Sequence, residues 1–184
     1  MPRNVGGVSS VIPYAADGDD ISDGTDDSLV VMEAEHANIH KGKAYFLYSS
    51  ITIAGTSSAY IQLKTGSKFT HFKSRNLTNI SANNVLYTVY ESPTITDGTT
   101  AVPSINANRN STNNSANVFY NNPTSVSGGT QLVQVYLAGS VQFRTSESAI
   151  IELIYKPNTN YVAKVDNLNA GNATIYFSFF WYEI

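Results

Sequence analysis

Cysteine is absent from the 184 residues, which removes disulfide frameworks, thiolate nucleophiles and cysteine-held zinc together. Charge is scarce as well. Asp, Glu, Lys and Arg make up 14% of the chain, against about 25% in an ordinary globular protein. The net charge is −3 and no cluster of Lys and Arg occurs, so the cationic face that phosphates require is missing and nucleic acid is excluded as a partner. No apolar run approaches the ~20 residues of a membrane helix. Met1-Pro2-Arg3-Asn4 leads into Gly6-Gly7, unlike a secretory leader, so the expectation is a chain without leader or membrane partner. No Gly-x-Ser-x-Gly elbow and no phosphate-cradling glycine loop is found.

Apolar residues reach 42%, enough for a sizeable core in one domain. Ser, Thr and Asn replace charge on the surface, and Asn106, Asn108, Asn110, Asn113, Asn114 and Asn117 fall within twelve positions. The acids are unevenly spread. Eight of the fourteen lie between Asp17 and Glu35 with no Lys or Arg among them, whereas from His36 onward ten cations face six acids. Such a break divides the chain into an N-terminal arm with an acidic linker, residues 1–35, and a body, residues 36–184. Within the arm Val5, Val8, Val11, Ile12 and Tyr14 are scattered among Gly, Ser and Pro. Too few to form a core, they are read as apolar anchors for a capsid or a neighbouring subunit.

The body repeats its own turns about thirty residues apart. Tyr90-Glu91-Ser92-Pro93-Thr94 with Asp97-Gly98-Thr99 returns as Tyr120-Asn121-Asn122-Pro123-Thr124 with Gly128-Gly129-Thr130. Pro presets φ in a turn and Gly supplies positive φ, so each copy reads as a strand, a corner and a return strand. Two copies are too few for a solenoid and predict successive hairpins of a sandwich. Ser28 to Ile39 is the one helical stretch. From Gly42 on, about eight β-rich segments follow at sandwich or barrel spacing. The last, Ile175 to Tyr182, is aromatic on both faces, so it is expected at the centre of a sheet or against another subunit.

Chemistry finds little purchase. With Gly24 as the sixth position of a calcium loop, Ile21 and Val30 fall where oxygen ligands belong, so residues 17–27 are read as a solvated linker. His36 and His40 are four apart, but Ala37 stands where a zinc helix needs Glu. The body offers Glu91, Asp97, Glu147, Glu152, Asp166 and Glu183, with His71 as its imidazole, and spacing singles out no acid–base pair. The reading is a non-enzyme with no catalytic residue, no metal ligands and no cofactor. The twelve Tyr, eight Phe and one Trp are read mainly as core and subunit contact, with sugar stacking as the competing use.

Several motifs carry a family likeness over residues 33–184. They are Glu35-His36 with His40-Lys41-Gly42-Lys43-Ala44-Tyr45, Ile53-Ala54-Gly55-Thr56, Phe69 with His71-Phe72, and both Pro-Thr corners. Asn108-Arg109-Asn110-Ser111, Lys156-Pro157-Asn158-Thr159-Asn160-Tyr161 and Phe180-Trp181-Tyr182-Glu183 complete the set. The body resembles head decoration and other virion structural proteins of tailed phages. That resemblance implies an all-β fold, a jelly-roll-like antiparallel β-sandwich of about eight strands with an extended N-terminal arm. It also implies a homotrimer on the outer capsid surface, made in the host cytoplasm and bound to the major capsid protein. The competing function is a receptor- or glycan-binding fibre or tail module that meets a glycan on the host surface.

Overall fold

The computed structural model describes residues 34–139, 145–148 and 152–184. A short helix, α1 (Ala34–His40), opens them. Strands β1 (Ala44–Ile53), β2 (Ser58–Lys64), β3 (Thr70–Asn79) and β4 (Val85–Glu91) follow. Short strands come next: β5 (Thr94–Thr96), β6 (Thr100–Val102), β7 (Ile105–Asn106), β8 (Val118–Asn121) and β9 (Thr124–Ser127). The chain closes with β10 (Thr130–Leu137), β11 (Thr145–Ser148), β12 (Leu153–Tyr155), β13 (Asn160–Asn167) and β14 (Ala173–Glu183). The helix expected over Ser28 to Ile39 starts later, at Ala34, and runs to His40; residues 28–33 lie outside the described residues.

Two antiparallel sheets face each other. The first has the order β11-β3-β14-β1-β7, with β12 also on β3, and the second β10-β4-β13-β2-β8-β6. Setting aside residues 92–129, the chain visits first, second, first, second, second, first, second and first sheet in turn. This is the two-Greek-key path of a jelly roll. The protein is an all-β, jelly-roll-like sandwich, and its eight principal strands agree with the number expected. The additional short strands extend both sheets from the segment between β4 and β10.

Alternation decides which side each strand buries. On β14, Ala173, Ile175, Phe177, Phe179 and Trp181 point inward and are buried, while Tyr176, Ser178 and Phe180 point outward. It lies at the middle of the sheet, between β1 and β3, while Tyr176 on its outer face stays exposed. Phe119 of the second sheet meets Phe179 and Trp181 of the first at ring separations of 5.8 and 5.1 Å. Tyr155 and Tyr161 stack across the sheets at 4.1 Å. Each such side chain contributes about 1.5–3 kcal/mol by leaving water. Opposite β14, Ser74 pairs with Phe180 and Phe72 with Trp181, so Lys73 is an extra residue. That bulge turns both Phe72 and Arg75 into the core.

The repeated corners do not form the hairpins that the sequence predicts. Each return strand pairs with the other copy's entry strand: β10 with β4, and β6 with β8. Exchanging the copies turns Glu91 opposite Thr130 into Asn121 opposite Thr100, and Tyr90 opposite Gln131 into Tyr120 opposite Ala101. The same exchange maps β13 onto β2 about the pair Val162 and Gln62, with Tyr161 opposite Leu63 and Ala163 opposite Ile61 on either side. The six-stranded sheet therefore has a local two-fold axis. Its two crossing segments meet and pair as β5 and β9. Gly98 is required by this close approach, because a Cβ there would lie 2.4 Å from the Asn121 carbonyl oxygen.

Candidate functional site

The six body carboxylates are dispersed, and the five whose side chains are described are all engaged. Glu91 accepts from Lys156 Nζ at 2.5 Å and from the Tyr161 hydroxyl at 3.1 Å. The Lys156 bond, the largest influence, holds its carboxyl below the ordinary range. Asp97 accepts from Gln62 Nε2 at 2.8 Å and Lys64 Nζ at 3.0 Å, and those bonds lower it likewise. Asp166 bonds Ser58 and Lys164. Glu183, buried, receives the Trp181 indole N–H at 3.1 Å, the Ser115 hydroxyl at 2.5 Å and the Ala116 N–H at 3.0 Å. Glu147 lies on β11, whose side chains fall outside the described residues.

The body's His71 and Glu152, far apart in sequence, come together. His71 Nδ1 is 2.8 Å from Glu152 Oε1, the Tyr182 hydroxyl donates to the same oxygen at 2.8 Å, and Lys73 Nζ reaches Oε2 at 3.1 Å. The His71 and Tyr182 rings stack at 4.7 Å. Burial pushes Glu152 up, but the bonds from Tyr182, His71 and Lys73 outweigh it and hold the carboxyl low. Burial, reinforced by the bond to Glu152, pushes the Tyr182 phenol up to about 12. A carboxyl held ionised in this way has no proton to donate and is a weak base. Lys73 also reaches Glu35 of α1 at 3.5 Å, so the cluster fastens the helix to the sheet. Only the β3–β12 pairing and the bulge bring these residues together, and neither is visible as spacing.

His36 and His40 lie side by side on α1 with Nε2 atoms 3.0 Å apart. Among the described residues no group of three metal-ligating side chains forms. The asparagine-rich segment is structural. Asn106 and Asn113 donate to the Gly42 carbonyl, Asn108 to that of His40, and the Asn108 and Asn110 amides turn back onto the side chains of Asn106 and Asn108. Backbone N–H groups of Lys41, Lys43 and Gly42 meet the carbonyls of Ala37, Asn38 and Ile39, so the asparagines close the His40 carbonyl and the turn that follows α1.

Two surfaces remain without partners among the described residues. Strand β10 ends the second sheet and pairs on one side with β4 alone, exposing Leu132 (40%) and Tyr136 (56%). The outer face of the first sheet exposes Tyr48 (68%) and Tyr176 (51%). Two of the three tyrosines exposed among the described residues thus share that sheet face, and the third, Tyr136, stands on strand β10 and not on a loop. The proposed anchors Val5, Val8, Val11, Ile12 and Tyr14 lie outside the described residues, as does the arm up to residue 33; Ala34 and Glu35 belong to α1. No helix among the described residues is long and apolar enough to cross a membrane.

No family model matches the chain, and no curated protein matches it. Among solved structures, the chain is similar to the Yersinia pseudotuberculosis-derived mitogen, at 9% identity and a TM-score of 0.35, over 73% of this chain and 83% of that one. It is also similar to the virus-like particle of the extra small virus of the giant freshwater prawn Macrobrachium rosenbergii. There the identity is 12% and the TM-score 0.25, over 94% of this chain and 96% of that one. At these scores neither alignment defines a shared fold, and the jelly-roll assignment rests on the strand order above.

Proposed function

We propose that this chain is a non-enzymatic structural protein of a bacteriophage virion, a decoration protein that binds the outer surface of the assembled head. Strand β10 carries the reading. It is an eight-residue sheet edge without Lys or Pro and with apolar side chains on both faces. Monomeric proteins blunt such edges, because unpaired N–H and C=O groups recruit further chains. The engaged carboxylates, with Glu91, Asp97 and Glu152 held low, agree with a role that needs no chemistry. A protein that binds only the assembled lattice stabilises it by mass action, and many copies make modest contacts sufficient. The assembly is a homotrimer. Residues 1–16 dock on the major capsid protein through Val5, Val8, Val11, Ile12 and Tyr14.

The test is to mix purified protein with undecorated heads and locate it by electron microscopy. Regular density on the outer capsid surface, lost on deletion of residues 1–30 with the body still folded, is the expected result. Density confined to tail or fibre would overturn the head assignment. Light scattering should return about three times the 20.0 kDa chain mass, and a 20 kDa particle would refute the trimer.

A further inference from the structure

The outer face of the first sheet carries a groove of about 490 Å³ that attachment through β10 or the arm leaves unused. Register builds it. Tyr48 lies opposite Ser178, which lies opposite Asn76; one step along, Ser50 lies opposite Tyr176, which lies opposite Thr78. Two exposed phenol rings thus stand at diagonal positions over a floor of hydroxyls and one carboxamide. Tyr48 is braced edge-on against Phe46 at 5.3 Å. Asn76 spends one amide hydrogen on Ser178, at 3.2 Å, and among the described residues its other donor and its side-chain oxygen have no partner. Among the described residues no Asp, Glu, Lys or Arg lines the groove.

We propose that this groove binds a neutral oligosaccharide. A sugar presents a C–H face and a rim of hydroxyls. The C–H face suits the electron-rich faces of Tyr48 and Tyr176, and the rim suits the donors and acceptors of Asn76, Ser50 and Thr78. The volume lies within the ~300–1,000 Å³ of small-molecule sites. The electrostatics select within this class, since a sialylated or phosphorylated glycan would find no cation to pair with. A second copy of the chain fits less well. An apolar partner here would bury the floor's hydroxyls without hydrogen bonds. The proposal is independent of head decoration.

Full-length protein is applied to a printed array holding neutral and sialylated oligosaccharides, and the strongest hit is titrated by calorimetry. Binding should be to a neutral glycan and change little between low and physiological salt. Tyr48→Ala and Tyr176→Ala should each weaken it about tenfold or more, and Tyr176→Phe, which keeps the ring, should retain it. Both tyrosines are exposed, so unchanged melting temperatures separate lost binding from lost folding. An array with no hits, hits confined to sialylated glycans, or binding indifferent to both alanines would overturn the proposal. Alanine variants that change only the light-scattering mass would give the face to a second copy, and overturn it as well.

Discussion

Ser92 and Asn122 hold the same left-handed backbone conformation, φ 53° and 55°, in corners thirty residues apart. Each precedes a proline, and each sends its N–H into the sheet beneath, Ser92 to the Asn160 carbonyl at 2.8 Å and Asn122 to the Tyr60 carbonyl at 3.0 Å. The local two-fold axis exchanges these bonds, so the two residues face the same steric demand. A β-branched side chain is strained at positive φ by roughly 1–2 kcal/mol. Ser92→Val and Asn122→Val should each lower unfolding stability in urea by that amount and agree within about 0.5 kcal/mol. A clear inequality would show that the corners are alike in shape and different in load.

Arg75 is buried in the core beside Tyr87 and Tyr155, and its Nη1 has no hydrogen-bond partner. The guanidinium bonds the Tyr155 side chain, but a buried cation with one nitrogen unpaired among the described residues is costly, and well-packed apolar replacements for buried charges are often neutral or stabilising. Arg75→Met keeps the aliphatic length and adds a thioether that adapts to irregular space. We expect this variant to gain about 1 kcal/mol or more in denaturant unfolding. A loss would mean that the guanidinium holds the core together.

Acid should unfold the protein through its paired carboxylates. Glu152 titrates below its ordinary value of 4.5 when folded, as Glu91 does, and Asp97 lies below its own 3.8. As pH falls, the unfolded chain takes up these protons first. The stabilisation is therefore present above the ordinary carboxylate range and is lost as pH falls through the folded values. Melting temperature should drop below about pH 4.5. Glu152→Gln should lower it at neutral pH and make the acid decline shallower. An unchanged slope would place the acid sensitivity elsewhere.

Phe119 comes from the segment between β4 and β10, yet it is fully buried against Trp181. Phe119→Ala should cost about 3–5 kcal/mol and shift the emission of the chain's one Trp to longer wavelength as water reaches the indole. A small cost with unchanged emission would mean that the inserted segment only rests on the core.

Strand existence was legible because alternation is local: β2, β13 and β14 read directly as strands. The echo was legible too, as Pro93 with Gly98 and Pro123 with Gly128. What could not be read was the exchange of partners between copies. Hairpin pairing is the default for adjacent strands, and only the whole sheet reveals that β10 returns to β4. His71 and Glu152 escaped for the same reason, since their meeting depends on a register across 81 positions. The asparagines read as solvated surface, but several close the end of α1. Tyr48 and Tyr176 were hidden by their own strands, where the aromatics beside them face inward.

Strand β14 has a consequence for how the molecule is made. It follows β1 and β3 in the chain by a hundred residues or so, yet it lies between them in the first sheet, and they do not pair with each other. A growing chain on the ribosome cannot zip that sheet progressively. The gap closes only when residues 173–183 have emerged, so β1 and β3 wait with open edges and a half-built aromatic core. Folding dominated by such distant pairings is slow and exposed to aggregation. A chain cut before residue 173 would therefore leave two unjoined halves of a sheet, and the sandwich becomes possible only once β14 is in place.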